Sequence, residues 1–178
     1  HPITNKVERT MANFVIPSLQ PVDNLDHISD AVTWGNVTYR LPKGLQLKSE
    51  PKDGPNTEGR VYVGPSMILV VTRAPITSKD NPMVAYPKRV FKHFIHKPSK
   101  LLLQNVPIQS AMVLNNGVPT YIMDQYNPSK LSRIFHFIQD DQYEYFIILD
   151  YTDKKVKYNH LELRNMMEYL DFKNAKEL

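Results

Sequence analysis

The stretch Val118–Asp150, VPTYIMDQYNPSKLSRIFHFIQDDQYEYFIILD, carries the pattern that decides the fold. It divides into three runs rich in β-branched and aromatic residues, Val118–Tyr126, Leu131–Gln139 and Tyr143–Asp150. Short polar segments that favour turns separate the runs, an arrangement that is typical of an antiparallel meander. We therefore predict three strands here, paired in sequence order and antiparallel.

A helix is predicted soon after the meander. Asn159 and Glu162 have capping-box spacing, in which the Asn side chain accepts a hydrogen bond from a free backbone N–H at the helix start. Apolar residues follow at helical spacing and form a stripe that we expect to be buried on the sheet. The stripe comprises Leu163, Met166, Met167 and Leu170.

Further strands and a second helix are predicted before the meander. Residues 37–41 alternate between apolar and polar, which predicts a half-buried strand. The run Met67–Val71 is apolar at every position, as expected of a central strand that is covered on both sides. Residues 49–59 are rich in turn formers and predict a mobile surface loop. Pro87–Lys97 shows apolar residues at helical spacing behind a proline suited to a first turn.

These elements predict one soluble α+β domain, built around an antiparallel sheet with at least two helices. The chain has 178 residues, of which 42% are hydrophobic, and this suffices for a core without disulfides. We assign residues 36–178 to this domain. Residues 1–35, punctuated by prolines and polar turn formers, are predicted to form an N-terminal arm or linker, which a protease should trim first.

Composition limits the classes of function. The net charge of +4 is low and dispersed for a nucleic-acid binder, so we expect no nucleic-acid partner. No apolar run approaches the roughly 18 residues of a membrane span. The chain has no cysteine, which excludes thiol catalysis and zinc–thiolate sites and fits a periplasmic or secreted protein. Because the first residue is His1, a mature form after removal of a signal or lipid anchor and a trimmed chain both stay open.

No catalytic motif is present, so we predict a protein that is not an enzyme and holds no cofactor. G-x-S-x-G, the P-loop, G-x-G-x-x-G and H-E-x-x-H are all missing from the sequence. His136 lies between two phenylalanines in a predicted strand. We interpret it as a hydrogen-bonded sheet histidine rather than a catalytic base.

One basic stretch is the candidate partner-binding site. It comprises Lys88, Arg89, Lys92, His93, His96, Lys97 and Lys100. Phe91 and Phe94 direct the apolar side of this predicted helix to the core, so the positive charges should point outward. Its two histidines share a helix face, but no carboxylate of the helix completes a metal site and the lysines would repel a cation. We predict an acidic protein partner, and a merely solvated face is the alternative.

The order of the elements resembles the PsbP/Mog superfamily, which includes the photosystem protein PsbP, Mog-type Ran-binding proteins and DcrB-like bacterial envelope proteins. The resemblance rests on the opening strand and turn Val37–Gly44, VTYRLPKG, on the helix at 87–97, and on the meander with a closing helix that ends in LDF at 170–172. It covers about residues 36–172. It implies an α-β-α sandwich, with a central antiparallel sheet flanked by helices, and a non-enzymatic role in larger assemblies. No functional residue is carried over from the family.

The leading functional hypothesis is a non-enzymatic binding or assembly module of a bacterial cell-envelope or secreted system. The alternative is a small-ligand-binding protein or enzyme with a pocket between sheet and helix. A deep pocket with convergent polar groups would favour that alternative. A nucleic-acid binder is a third hypothesis, which salt-dependent binding to DNA or RNA would favour.

Overall fold

A computed structural model describes residues 25–76, 84–85, 88, 109–115, 118–128, 130–152, 158–168 and 171–172. Within these ranges the chain is mostly β-structure, with one helix, α1, whose two ends are both described. The strands are β1 (Ser29–Trp34), β2 (Val37–Pro42), β3 (Gln46–Ser49), β4 (Lys52–Asp53), β5 (Thr57–Gly64), β6 (Met67–Pro75), β7 (Gln109–Asn115), β8 (Val118–Gln125), β9 (Leu131–Gln139), β10 (Tyr143–Thr152) and β11 (Asp171–Phe172), and α1 is His160–Glu168.

The larger of two sheets is antiparallel throughout. Its strand order is β3-β5-β6-β10-β9-β8-β7, and β4 pairs with the start of β5. The predicted meander is confirmed, because β8 pairs with β9 and β9 with β10. The run Met67–Val71 lies in β6, an interior strand. Its Leu69 and Val71 are fully buried, but Ile68 on the opposite face is 45% exposed. The prediction that both faces of this strand are covered is therefore wrong at Ile68.

A second sheet of three strands has the order β1-β2-β11. Strands β1 and β2 form a tight hairpin across Gly35 and Asn36. Gly35 has a φ of 61°, which suits a glycine at the first central position of a two-residue hairpin turn. Strand β1 belongs to the residues that we assigned to the arm, so this part of the arm pairs with the domain. The boundary near residue 35 stays a prediction.

The two sheets and α1 enclose the main hydrophobic core. The large sheet contributes Leu69, Ile134 and Leu149, while β2 contributes Tyr39 and α1 contributes Met166. The face of the large sheet that carries these residues is called the inner face below. Because side chains alternate along a strand, its residues recur at every second position of β5, β6, β9 and β10.

Helix α1 begins where the sequence predicts it, but the predicted helix end in LDF at 170–172 is wrong, because Asp171–Phe172 form strand β11. The backbone N–H of Glu162 donates to Asn159 Oδ1 at 2.8 Å, and Asn159 Nδ2 donates to Glu162 Oε1 at 3.0 Å. Leu163, Met166 and Met167 are buried, which confirms these members of the predicted stripe, whereas Leu170 lies outside the described residues. No helix in the described ranges is long and apolar enough to cross a membrane.

The predicted fold class is wrong. An α+β domain arranged as an α-β-α sandwich requires helices as the covering layers of the sheet, whereas the protein is mostly β with two sheets. The β1–β2 hairpin takes part of the covering role on the inner face, beside α1. The second predicted helix, Pro87–Lys97, lies outside the described residues except for Lys88, which is helical and exposed.

Truncation of Met166 tests the packing of α1. Met166→Ala should lower the free energy of unfolding by about 2–5 kcal/mol, through lost burial and the cavity left behind. Leu161→Ala is the matched control on the same helix, because Leu161 is 64% exposed, and it should change that free energy by less than about 0.5 kcal/mol. Urea denaturation of both variants measures the difference. Equal effects of the two substitutions would contradict the described orientation of α1.

Candidate functional site

A cleft opens between the tip of the β1–β2 hairpin and the adjacent end of the large sheet. Its volume is about 320 Å³. We call it the Trp34 cleft, and it is lined by Trp34, Glu50, Pro51, Lys52, Glu58, Gly59, Arg60 and Arg73. Three of these side chains are basic and two are acidic, so the cleft combines an aromatic surface with a small excess of positive charge.

Two guanidinium groups stack against the Trp34 indole. The Cζ atom of Arg60 lies 4.5 Å from the centre of the ring, and that of Arg73 lies 4.9 Å from it. Arg73 also lies 4.8 Å from the ring centre of Tyr143. These distances are within the range of cation–π attraction, which places a cation over the electron-rich face of an aromatic ring. The stacking therefore attaches the hairpin tip to the large sheet at the mouth of the cleft.

Strand register brings the two arginines together. Arg73 on β6 lies opposite Glu58 on β5, and Arg60 follows two residues after Glu58. Residues two apart on a strand share a face, so all three side chains lie on the inner face, where the hairpin covers them. Arg60 is opposite Val71, which belongs to the core beneath Trp34.

The two arginines differ in their acidic partners. Arg73 Nε and Nη2 both lie 2.8 Å from Glu58 Oε2. Arg60 Nε is 3.8 Å from Glu50 Oε1, which is beyond hydrogen-bond range.

Two tyrosines lie close to Arg60 beneath the cleft. Tyr39 and Tyr62 interact electrostatically with its guanidinium, and their hydroxyl oxygens are 2.7 Å apart. Burial raises the pKa of Tyr39, and the hydrogen bond to Tyr62 acts in the same direction, so this hydroxyl stays protonated. The neutral Tyr39 hydroxyl leaves the positive charge of Arg60 uncompensated on that side.

Sequence reasoning did not identify the Trp34 cleft. No motif links Trp34, Arg60 and Arg73, and Trp34 lies in the segment that we assigned to the arm. The predicted surface loop 49–59 does contribute to the lining, but the loop prediction is wrong in part, because the range contains the short strand β4 and the start of β5. The one available signal was the period-two spacing of Glu58 and Arg60, which predicts a shared strand face without naming what covers it.

The predicted partner-binding stretch is mostly not described by the structure. Lys88 is exposed, as expected of an outward-facing basic side chain. Arg89, Lys92, His93, His96, Lys97 and Lys100 lie outside the described residues, so this surface stays a prediction. Among the residues with described positions, no group of three or more His, Asp or Glu side chains could hold a metal ion.

His136 is buried on the inner face but is not hydrogen-bonded. It lies opposite Ile147 on β10 and Ile122 on β8, and neither ring nitrogen has a hydrogen-bond partner in the described structure. The interpretation of His136 as a hydrogen-bonded sheet histidine is therefore wrong. Apolar neighbours on both adjacent strands replace the expected partner, and this burial lowers the pKa of His136 to about 3.

A second histidine, His160, connects α1 to the sheet and was also missed. Its Nε2 atom is 2.7 Å from Asp124 Oδ2 on β8, and its Nδ1 atom is hydrogen-bonded to the hydroxyl of Tyr151 on β10. Arg164 Nη1 lies 3.9 Å from Asp124 Oδ1. Because Tyr151 and Asp124 are both buried, this cluster holds the helix start against the sheet and presents no open hydroxyl to a substrate.

Comparisons with known proteins do not assign the chain to a family. No protein-family model matches the chain, and no curated protein matches it. The chain is similar to a solved structure of LpqN, a protein involved in cell envelope biogenesis of Mycobacterium tuberculosis, with a TM-score of 0.42 and 14% sequence identity. The match covers 87% of this chain and 98% of LpqN. A likeness at this TM-score carries no argument about the chain, and the resemblance to the PsbP/Mog superfamily stays a prediction.

Acidification should destabilise the protein through His136. Its pKa is about 3 in the folded state against 6.5 for the free side chain, with burial as the main cause and the charge of Arg164 as a further one. Below about pH 6.5 the unfolded chain binds a proton that the folded protein excludes. The contribution of neutral His136 to the free energy of unfolding is therefore complete above that pH and is lost as the pH falls towards 3.

Urea denaturation between pH 7 and 4 measures this dependence. His136→Leu should reduce the slope of unfolding free energy against pH by up to about 1.4 kcal/mol per pH unit, the value for one proton. His27→Gln is the control, since His27 is exposed, and it should keep the wild-type slope. If His136→Leu keeps the wild-type slope of unfolding free energy against pH, then the folded protein does not prevent protonation of His136.

Proposed function

We propose that the protein is a non-enzymatic binding module of a bacterial cell-envelope or secreted system, and that its Trp34 cleft receives an acidic segment of a protein partner. The observation that carries this proposal is the pair of guanidinium groups stacked on Trp34 at the mouth of an open cleft. The absence of cysteine from the chain supports the periplasmic or secreted setting.

The geometry of stacking favours recognition of carboxylates. A guanidinium that stacks on an indole uses its flat face, and its N–H donors point outward in the plane of the group. Those donors match the spacing of carboxylate oxygens and form charge-assisted hydrogen bonds with them. The partial burial of Arg60 and Arg73 also reduces screening by solvent, so the attraction is stronger than at an open surface.

The closed cluster around His160 supports a binding role over catalysis. The Tyr151–His160–Asp124 cluster combines groups that enzymes use for proton transfer, but its hydroxyl is closed off by packing. The alternative function needs a pocket between sheet and helix, and the α1 side chains Leu163, Met166 and Met167 are buried there. The Trp34 cleft lies instead at the hairpin tip, where a partner can reach it.

Fluorescence of Trp34 tests the proposal, because Trp34 is the single tryptophan of the chain. The protein is titrated with a short glutamate-containing peptide and with the matched peptide that has glutamine at the same positions. We expect a saturable change in emission with the glutamate peptide alone. The affinity should fall as salt rises, since added ions screen charges beyond about 8–10 Å. No response to either peptide would contradict the proposal, as would an equal response to both.

A charge-reversed variant separates this site from the sequence-predicted basic stretch. Lys92→Glu with Lys97→Glu should leave binding of the glutamate peptide unchanged if the Trp34 cleft is the receptor. Loss of binding in this variant would show that the basic stretch is the partner-binding surface and would overturn the assignment to the cleft. Saturable binding of a single-stranded oligonucleotide with a steep salt dependence would instead favour a nucleic-acid partner.

A further inference from the structure

Resting on the proposed function, we infer that Arg60 is the group that receives the partner's carboxylate, and that Glu50 occupies it in the free protein as an internal competitor. Arg73 is a positioning residue in this arrangement. The Trp34 cleft therefore binds an acidic side chain by exchange, in which the carboxylate of the ligand replaces the carboxylate of Glu50.

Arg73 is committed to the protein itself. Two of its nitrogens lie 2.8 Å from Glu58 Oε2, and its guanidinium contacts the rings of Trp34 and Tyr143. Glu58 is also its direct cross-strand neighbour, so backbone pairing holds the two partners opposite each other. A ligand would have to break this short, aligned ion pair before it could use Arg73.

Arg60 has only a loose acidic partner. Its distance of 3.8 Å from Glu50 Oε1 is too long for the charge-assisted hydrogen bonds of about 2.7–2.9 Å that a well-formed pair makes. The side chain of Glu50 is 61% exposed, whereas that of Arg60 is 24% exposed. An ion pair with one such open member contributes little to stability, so its replacement costs little.

The guanidinium of Arg60 is nevertheless held in place. Trp34 lies over it at 4.5 Å, and Tyr39 and Tyr62 interact with it electrostatically. A donor that is already oriented loses less conformational entropy when a ligand binds. Arg60 thus combines a fixed geometry with a weakly held counter-ion, which is the combination that an exchange site requires.

The backbone around Glu50 is anchored on both sides. Ser49 pairs with Val61 in the sheet, and the backbone N–H of Gly59 donates to the carbonyl of Pro51 at 2.8 Å. A Cβ at Gly59 would lie 3.1 Å from Pro51 Cγ, so the close packing of these two residues also depends on glycine. Exchange therefore needs only rotation of the Glu50 side chain and no opening of the segment between β3 and β4.

Binding of the labelled glutamate peptide, followed by its fluorescence anisotropy, tests this inference in four conservative variants. Arg60→Lys keeps the charge but loses the planar fork, and should weaken binding about tenfold. Arg73→Lys makes the same exchange at the positioning residue, where it loosens the contacts to Glu58 and Trp34, so it should weaken binding by less than Arg60→Lys does. Glu50→Gln should tighten binding about two- to fivefold, the range expected from loss of an exposed ion pair. Asp30→Asn, the same change in net charge outside the cleft, should leave affinity unchanged.

The outcomes separate the inference from the proposed function. A weaker Arg60→Lys with an unchanged Glu50→Gln would reject the internal competitor and leave the binding function intact. Equal loss in both Arg→Lys variants would reject the distinction between Arg60 and Arg73. Equal tightening by Glu50→Gln and Asp30→Asn would show that net charge alone acts. If the wild-type protein does not bind the glutamate peptide, the proposed function itself fails. Unchanged urea denaturation midpoints in the four variants verify that each comparison is made between folded proteins.

Discussion

The pairing of β6 with β10 is the constraint on which the rest of the structure depends. It runs from Tyr143 opposite Pro75 to Tyr151 opposite Met67, and it joins the β3–β5–β6 segment to the β7–β10 meander. Partners so far apart in sequence lose chain entropy when they meet, and buried contacts must offset that loss. Each fully buried aliphatic side chain along this seam, such as Leu69 or Leu149, contributes about 1.5–3 kcal/mol.

The register of this seam also determines the candidate site. Leu69, Val71 and Arg73 occupy alternate positions of β6 and therefore share the inner face. A slip of one residue would turn all three to the opposite face, removing two core residues and one cleft guanidinium together. The register that buries Leu69 and Val71 thus also keeps Arg73 beneath Trp34. The cleft is fixed by core packing, although its own polar contacts are few.

Local patterns in the sequence predict the parts of this fold that arise from neighbouring residues. The meander follows from its turns and its β-rich runs, and the start of α1 follows from the spacing of Asn159 and Glu162. The seam between β6 and β10 has no local signal, since an apolar run predicts an interior strand without naming its neighbours. Strand β11, with two residues, is too short to show a period at all.

The fold class and the site were missed for the same physical reason. Both depend on what covers the inner face, and a buried strand shows the same apolar pattern whether a helix or a sheet covers it. The sequence does not show that the β1–β2 hairpin covers the inner face. From the sequence alone, no neighbour can therefore be assigned to Trp34, and Arg60 looks like any polar residue of an alternating strand. His136 shows the converse problem, because its flanking phenylalanines indicate burial but not whether a hydrogen-bond partner lies within reach.

Gly35 connects the backbone of the hairpin to the chemistry of the cleft. A Cβ at this position would lie 2.8 Å from the hydroxyl oxygen of Tyr145 and 2.9 Å from Arg73 Nη1, so a side chain there would displace the ends of these two side chains from their present places. Its φ of 61° adds a second requirement, because residues with a Cβ seldom adopt that conformation. One glycine therefore permits both the tight turn and the close approach that brings the Trp34 ring onto two guanidinium groups. The position of the aromatic surface in the cleft depends on this absence of a side chain as directly as on the arginines themselves.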